Sequence, residues 1–218
     1  MIKGIIFDMD GVLVLGANKS HIEAWNRAFL EHNIKVKMMN VDEYGMLEGA
    51  KGEEIQKMVL KMNELSLDKG INEDIYKRKK EIFTEIDNPH TPDDIKRLLH
   101  KLHNQGYKLV IASGNNRTVI DNFLSKQNIQ NIFDYTITGD EVEKGKPDPE
   151  VFLKALEKMG LPKNEVLIVE NAPLGVEAAK ASGIFTVAIT STVSRDVLSK
   201  ADKVIKNLHE LEQILEIN

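Results

Sequence analysis

Five short, β-branched, unbroken apolar runs punctuate the chain, at residues 2–7, 108–112, 135–138, 166–169 and 185–189. A strand that faces solvent on one side alternates apolar with polar residues, so runs without alternation belong to strands covered on both faces, as in a parallel sheet. Helical patterns with clear punctuation separate the last four runs. One opens at Thr91 as N-cap with Pro92 at the first helical position and stops at Gly106. The next starts at Asp148-Pro149 and stops at Gly160, a third runs from about Pro173 to Ser182 before Gly183, and a last amphipathic helix follows Asn207 with Leu208, Leu211 and Leu215 on one face. Strand and helix in alternation predict an α/β fold with a doubly wound, Rossmann-like parallel sheet.

Between residues 15 and 88 the strand signal disappears. No simple crossover is that long, so the stretch reads as an inserted helical domain: residues 1–14 and 89–218 form the α/β core and 15–88 the insertion. Ser20-His21-Ile22-Glu23 has the pattern of a capping box opening a helix through Trp25 and Phe29, with further helices over 53–62 and 73–86. Trp25 is expected in the core of the insertion, and the basic tract Lys77-Arg78-Lys79-Lys80 on a solvated helix face.

The composition of the 218 residues narrows the function. A net charge of −5 leaves no global positive field to hold nucleic acid or an anionic membrane, so an anionic substrate must be captured locally. With no cysteine, disulfides, thiolate nucleophiles and cysteine metal sites are excluded. No apolar run approaches the roughly 20 residues of a membrane span, and the first residues lead directly into a strand without a signal-peptide layout. These features predict a soluble, cytoplasmic protein.

Chemistry concentrates at strand ends, where open α/β sheets bind ligands. Asp8-Met9-Asp10-Gly11 follows the first strand, and two carboxylates across a sharp turn can share one crevice, one attacking or holding metal and the other moving protons. The same four residues also suit a solvated Asp-Gly turn. A calcium loop does not fit, because Val12, Leu13 and Lys19 stand where oxygen ligands, Gly and Glu are needed. Ser113 follows the second run, and its hydroxyl with the neighbouring Gly114 and Asn115 can hold phosphoryl oxygens, although a Ser-Gly loop reads the same way. Lys146 sits in Gly145-Lys146-Pro147-Asp148-Pro149, where two prolines limit where its ammonium points. Glu170 and Asn171 follow the fourth run and offer oxygens to a hard cation, or Glu170 caps the next helix.

Taken in order, Asp8-Met9-Asp10-Gly11-Val12-Leu13, Ser113, Gly145 to Pro149, and Glu170-Asn171 with Gly175-Val176-Glu177-Ala178-Ala179 resemble the haloacid dehalogenase-like superfamily, in its subfamily with a helical cap after the first motif. The resemblance spans nearly the whole chain and points to the phosphatases and β-phosphoglucomutases of that group. It implies Asp8 as the nucleophile that becomes an aspartyl phosphate, Asp10 as the acid and base, Ser113 as the holder of a phosphoryl oxygen, and Lys146 as the charge between nucleophile and phosphate. It implies Mg2+ bound by Asp8, the backbone carbonyl of Asp10, and Glu170 or Asn171. His21 is similar to the cap histidine of the family.

Two departures stand out. Where the family reads Glu-Asp-Ser, this chain has Glu170-Asn171-Ala172, removing a charge from the metal shell; and Leu15-Gly16-Ala17 replaces the usual Asp-Ser or Asp-Thr at the start of the cap. The expectation is a Mg-dependent phosphatase for a small phosphorylated metabolite of the sugar, polyol or glycolate class, with His21 and Lys51 of the cap, Gly114 and Asn115 contacting substrate. The runner-up, β-phosphoglucomutase, needs an arginine where Gly52 stands, with Lys51 its nearest substitute. A third reading, from another class, is a non-catalytic phosphate-ester-binding protein with a degraded metal site. Asp10 argues against dehalogenation, and the insertion argues against a receiver-type phosphoacceptor.

Overall fold

The computed structural model describes residues 1–86 and 90–216, so the expected boundary between residues 88 and 89 lies outside the described residues. The five apolar runs form β1 (Gly4–Phe7), β2 (Lys108–Ala112), β3 (Tyr135–Ile137), β4 (Val166–Glu170) and β5 (Phe185–Ile189). With β6 (Lys203–Ile205) they make one parallel sheet of order β3-β2-β1-β4-β5-β6. The sixth strand was not expected: it is three residues long at the sheet edge with Lys203 exposed, too short for any periodicity to register.

Both faces are covered, as unalternated strands require. Ile5, Phe7, Leu109, Ile111, Leu167 and Val169 point to one side, against α5 (Asp93–Asn104), α6 (Arg117–Gln127) and α9 (Glu210–Ile214). Ile6, Val110, Ala112 and Ile168 point to the other, against α7 (Glu150–Met159) and α8 (Pro173–Ser182). Each such fully buried side chain contributes about 1.5–3 kcal/mol relative to exposure, which is why the register pairing Ile6 with Val110 and Ile168 does not slip. One helix start differs from expectation. Thr91 does not cap α5; Pro92 keeps an extended ψ of 145°, so helical backbone begins only at Asp93, and the buried Thr91 hydroxyl has no partner among the described residues.

The insertion is helical: α1 (Ala17–Glu31), α2 (Val41–Gly45), α3 (Gly52–Met62) and α4 (Lys69–Glu85) surround their own apolar cluster, which includes Trp25, Phe29, Ile55, Val59, Ile75 and Ile82. Trp25 is fully buried there, stacked 5.9 Å from both Phe29 and Tyr76. The capping box is displaced: α1 starts at Ala17 behind a left-handed Gly16 that makes no side-chain cap, so Ser20 to Glu23 lies inside the helix.

The chain builds β2 and β3 on one side of β1 and then returns to β4 on the other. That reversal opens the crevice between the carboxyl ends of β1 and β4, where such sheets bind ligands. Helices α1–α4 close over it as a cap.

Candidate active site

Asp8 is the first residue beyond β1, and its amide still donates to Val169 of the neighbouring strand, which fixes the carboxylate at the crevice floor. The turn behind it needs Gly11, whose φ is +79° and where a Cβ would stand 2.0 Å from the Asn171 amide nitrogen. The chain thereby doubles back and presents Asp10 beside Asp8. Lys146, 2% exposed, reaches in from the segment before α7 and donates to Asp8 Oδ1 at 2.6 Å and to Glu170 Oε1 at 2.5 Å.

This cluster places two carboxylates on one ammonium. Burial works against the charge on Lys146, but Asp8 and Glu170 outweigh it and hold the lysine cationic well above its ordinary range. Burial also drives Asp8 up to about 7, with Lys146 opposing and Glu170 adding to the rise. Both oxygens of Glu170 are engaged. Its Oε1 takes Lys146, and its Oε2 accepts from the amides of Asn171 at 2.6 Å and Ala172 at 2.8 Å. These bonds make Glu170 an anchor for Lys146 and for the start of α8, and leave the unpartnered Asn171 Oδ1 the freer of the two candidate metal ligands. Gly175 belongs to the same arrangement, since a Cβ there would fall 1.7 Å from Glu170 Oε1.

Asp10 is held differently. Asn115 Nδ2 donates to its Oδ2 at 2.7 Å, and His21 Nε2 lies 3.2 Å from the same oxygen. On its other side His21 Nδ1 faces Lys79 Nζ at 2.9 Å. A lysine ammonium only donates, so Nδ1 accepts and the ring proton sits on Nε2, directed at Asp10. Burial and Lys79 together keep His21 below its usual pKa, consistent with a neutral ring. Burial alone would raise Asp10, but the bonds from His21 and Asn115 outweigh it and lower its pKa.

His21 also stacks on Phe83, 4.0 Å between ring centres, so the cap side of this relay is rigid. Lys79 corrects the reading of the basic tract: it is 7% exposed, and burial lowers its pKa to about 8. The signal was present, because Lys79 shares a helix face with Ile75, Ile82 and Phe83, all buried. The rest of the tract follows the solvated pattern: Lys77 is exposed, Lys80 half-buried, and Arg78 is paired with Glu31, Glu81 and Glu85.

These groups line a cavity of about 60 Å³, with Asp8, Asp10, His21, Glu48, Lys79 and Asn115 among its walls. Ser113 and Gly114 line it as well, with Ser113 Oγ accepting from the Asn115 amide at 3.2 Å. Lys51 departs from its expected place at the substrate. Its ammonium donates to the carbonyls of Val142 at 2.9 Å and Glu143 at 2.8 Å, tying the cap to the core.

Whether these residues suit a divalent cation is tested by their orphaned oxygens. No three Asp, Glu, His or Cys side chains form a ready-made cluster among the described residues. Asn171 Oδ1 and Glu48 Oε1 are nevertheless buried without a hydrogen-bond partner beside the Asp8–Asp10 turn. Bare oxygen acceptors next to a carboxylate are the donor type that magnesium takes, and the residues fit it. Glu48 went unnoticed in the sequence because an isolated acid in a cap loop carries no spacing signal.

Comparison with known proteins agrees with this geometry. The family model of haloacid dehalogenase-like hydrolases matches residues 5–189. A validoxylamine A 7'-phosphate phosphatase of Streptomyces hygroscopicus subsp. limoneus is 28% identical over 214 residues, covering 97% of this chain and 96% of the relative. A phosphorylated carbohydrates phosphatase of Thermotoga maritima is 28% identical over 186 residues, 84% of this chain and 82% of the relative. Among solved structures, a β-phosphoglucomutase from Clostridium difficile superposes with a TM-score of 0.85 at 22% identity, covering 99% of this chain and 96% of that one, a likeness that speaks for the fold. With a family model matched across β1 to β5 and the strand-end motifs in its crevice, the chain belongs to the haloacid dehalogenase-like hydrolases.

Proposed function

We propose that the protein hydrolyses the phosphate monoester of a small sugar, polyol or glycolate-type metabolite, with Mg2+ as cofactor and Asp8 as nucleophile. The observation that carries this reading is the pairing in one cavity beneath the cap of a lysine-anchored Asp8 with an Asp10 held by His21 and Asn115. Asp8, as the carboxylate that Lys146 favours, attacks phosphorus and the bond to the alcohol oxygen breaks, while Asp10 gives that oxygen its proton. Asp10 must therefore take up a proton as substrate binds, against the bonds from His21 and Asn115 that favour its carboxylate in the free protein. Asp10 then takes a proton from water, whose oxygen attacks the same phosphorus and releases inorganic phosphate, restoring both aspartates. Lys146 and the hydroxyl and amides around Ser113 stabilise the charge on the transferred group. Magnesium would be held by Asp8, the backbone carbonyl of Asp10 and Asn171, and when bound it neutralises phosphoryl charge.

Phosphate hydrolysis is favoured over the mutase reaction because Lys51, the nearest substitute for a cap arginine gripping a second phosphate, is engaged by two core carbonyls. The binding-only reading gains nothing from a site in which Asp8, Asp10, Ser113 and Lys146 converge. The test is phosphate release from a panel of phosphorylated sugars, polyols and glycolate, with and without magnesium, while isomer formation is followed on glucose 1-phosphate. Release that depends on magnesium supports the reading. Isomerisation without release would replace it with the mutase.

A further inference from the structure

Five buried side-chain polar atoms lack a partner among the described residues, and three of them belong to one linked trio: Asn18 Oδ1, Glu48 Oε1 and Asn171 Oδ1. The trio joins the cap to the core. Glu48, in the loop between α2 and α3, accepts at Oε2 from Asn18 Nδ2 of α1 at 3.2 Å and from Asn171 Nδ2 of the core at 2.9 Å. Both amides spend their nitrogens on this one oxygen, and Thr192 Oγ1 takes the other Asn171 proton at 2.9 Å. Three oxygens are left with no donor, in residues that are at most 4% exposed.

Stranding three buried acceptors costs about 1–3 kcal/mol each, and a hard cation is what such oxygens satisfy. The trio also lies at the right place. A Cβ on Gly11 would be 2.0 Å from the Asn171 amide and 3.1 Å from Glu48 Oε1, so both groups rest directly on the turn that carries Asp8 and Asp10. Glu48 moreover adds an acid to a pocket where Asp8 and Glu170 already share Lys146, and like-charge repulsion there opposes its carboxylate form unless a proton or a cation enters.

We propose that Glu48 is a metal-directed residue: a carboxylate delivered by the cap that supplies the charge Asn171 lacks, so that the divalent cation bridges cap and core. This rests on the magnesium reading given above. A hydrogen bond across the cap interface accounts for Glu48 Oε2, but not for the bare Oε1 and the two bare amide oxygens beside it. The coupling follows by linkage: a cation that contacts both bodies binds more tightly to the closed form, and by the same factor its binding closes the cap.

The test measures Mn2+ binding to the substrate-free full chain by calorimetry and electron paramagnetic resonance. The proteins are wild type, Glu48→Gln, Asn171→Asp and the double variant, with amide exchange over residues 40–62 followed in each. Glu48→Gln keeps the side chain's shape and should weaken Mn2+ binding by about tenfold or more, as loss of one charged oxygen ligand does. Adding Asn171→Asp to it should recover the affinity, because a charge returns from the core side. Mn2+ should slow exchange over residues 40–62 in wild type and leave it unchanged in both proteins carrying Glu48→Gln. Equal Mn2+ affinity for wild type and Glu48→Gln would overturn the proposal and reduce Glu48 to a cap-interface or substrate-hydroxyl acceptor. A wild-type protein that binds no divalent cation and releases phosphate without one would overturn the magnesium reading itself, and the role of Glu48 with it.

Discussion

The floor and the roof of the cavity are built by different rules. On the floor, Asp8, Lys146 and Glu170 each stand at the end of a strand or the start of a helix, and one ion cluster with distances of 2.5–2.6 Å locks them together. On the roof, His21, Glu48 and Lys79 come from three separate pieces of the cap: His21 and Lys79 meet because helices α1 and α4 pack face to face, and Glu48 joins them through Asn18 of α1. The floor is the same whatever the substrate, since every ester presents the same phosphoryl group. Substrate choice therefore falls to the roof, and substitutions should separate along that line.

The largest effect is expected at the hub of the floor. Lys146→Met leaves Asp8 and Glu170 buried without their shared cation, a break that typically costs about 3–5 kcal/mol. Thermal unfolding should show a marked fall in midpoint, together with loss of phosphate release. If stability were unchanged, the ion cluster would not be what holds the floor.

Next comes the group touched by both regions. Asp10→Asn removes the proton carrier, so alkyl phosphates, whose leaving oxygen needs a proton, should slow by about a hundredfold or more. An activated aryl phosphate should be spared by comparison. Equal losses for the two esters would remove the support for general acid catalysis by Asp10.

Lys79 sharpens the comparison through pH. A lysine is cationic below its pKa, so the roof carries this charge below about 8 and loses it as pH rises through that value. We expect kcat/KM for a phosphorylated substrate to fall above about pH 8, approaching about tenfold per pH unit. Lys79→Arg keeps a charge at all accessible pH values and should move that limb upward. An alkaline limb that stays in place in this variant would show that it belongs to the floor.

The smallest effect is expected at Lys51, which joins roof to floor away from the chemistry. Lys51→Met deletes two bonds to carbonyls, worth about 1 kcal/mol each at most in a partly exposed setting. KM should rise a few-fold with kcat unchanged. A fall in kcat would mean that the tie positions the reacting groups.

The division also explains what could be read from the chain alone. Asp8, Asp10 and Ser113 were visible because a buried strand announces itself by its unbroken apolar run, and the residues following it are thereby placed at the crevice; Lys146 was visible through the two prolines that follow it before α7. Lys79 and Glu48 had no such marker. Lys79 looked like one of four consecutive basic residues, and only its phase with Ile75, Ile82 and Phe83 distinguishes it from Arg78. Glu48 acquires its meaning from Asn18, 30 residues away, and Asn171, 123 residues away, pairings that no local pattern encodes. The same limit explains Thr91, where the local cap signal was overruled by the extended backbone of Pro92, and Glu170, whose two oxygens are filled by contacts that only the folded chain creates.

The central claim is that Asp8 carries the phosphoryl group in transit. The most direct measurement is an acid quench during turnover, followed by mass analysis of the peptide containing Asp8 and by borohydride reduction, which converts an aspartyl phosphate to homoserine. The account predicts one phosphoryl group on Asp8 in the wild-type protein, homoserine at position 8 after reduction, and neither in a folded Asp8→Asn variant, whose turnover should drop by about a thousandfold or more. Phosphate release by Asp8→Asn within about tenfold of wild type, or a phosphoryl group found on any other residue, would contradict it.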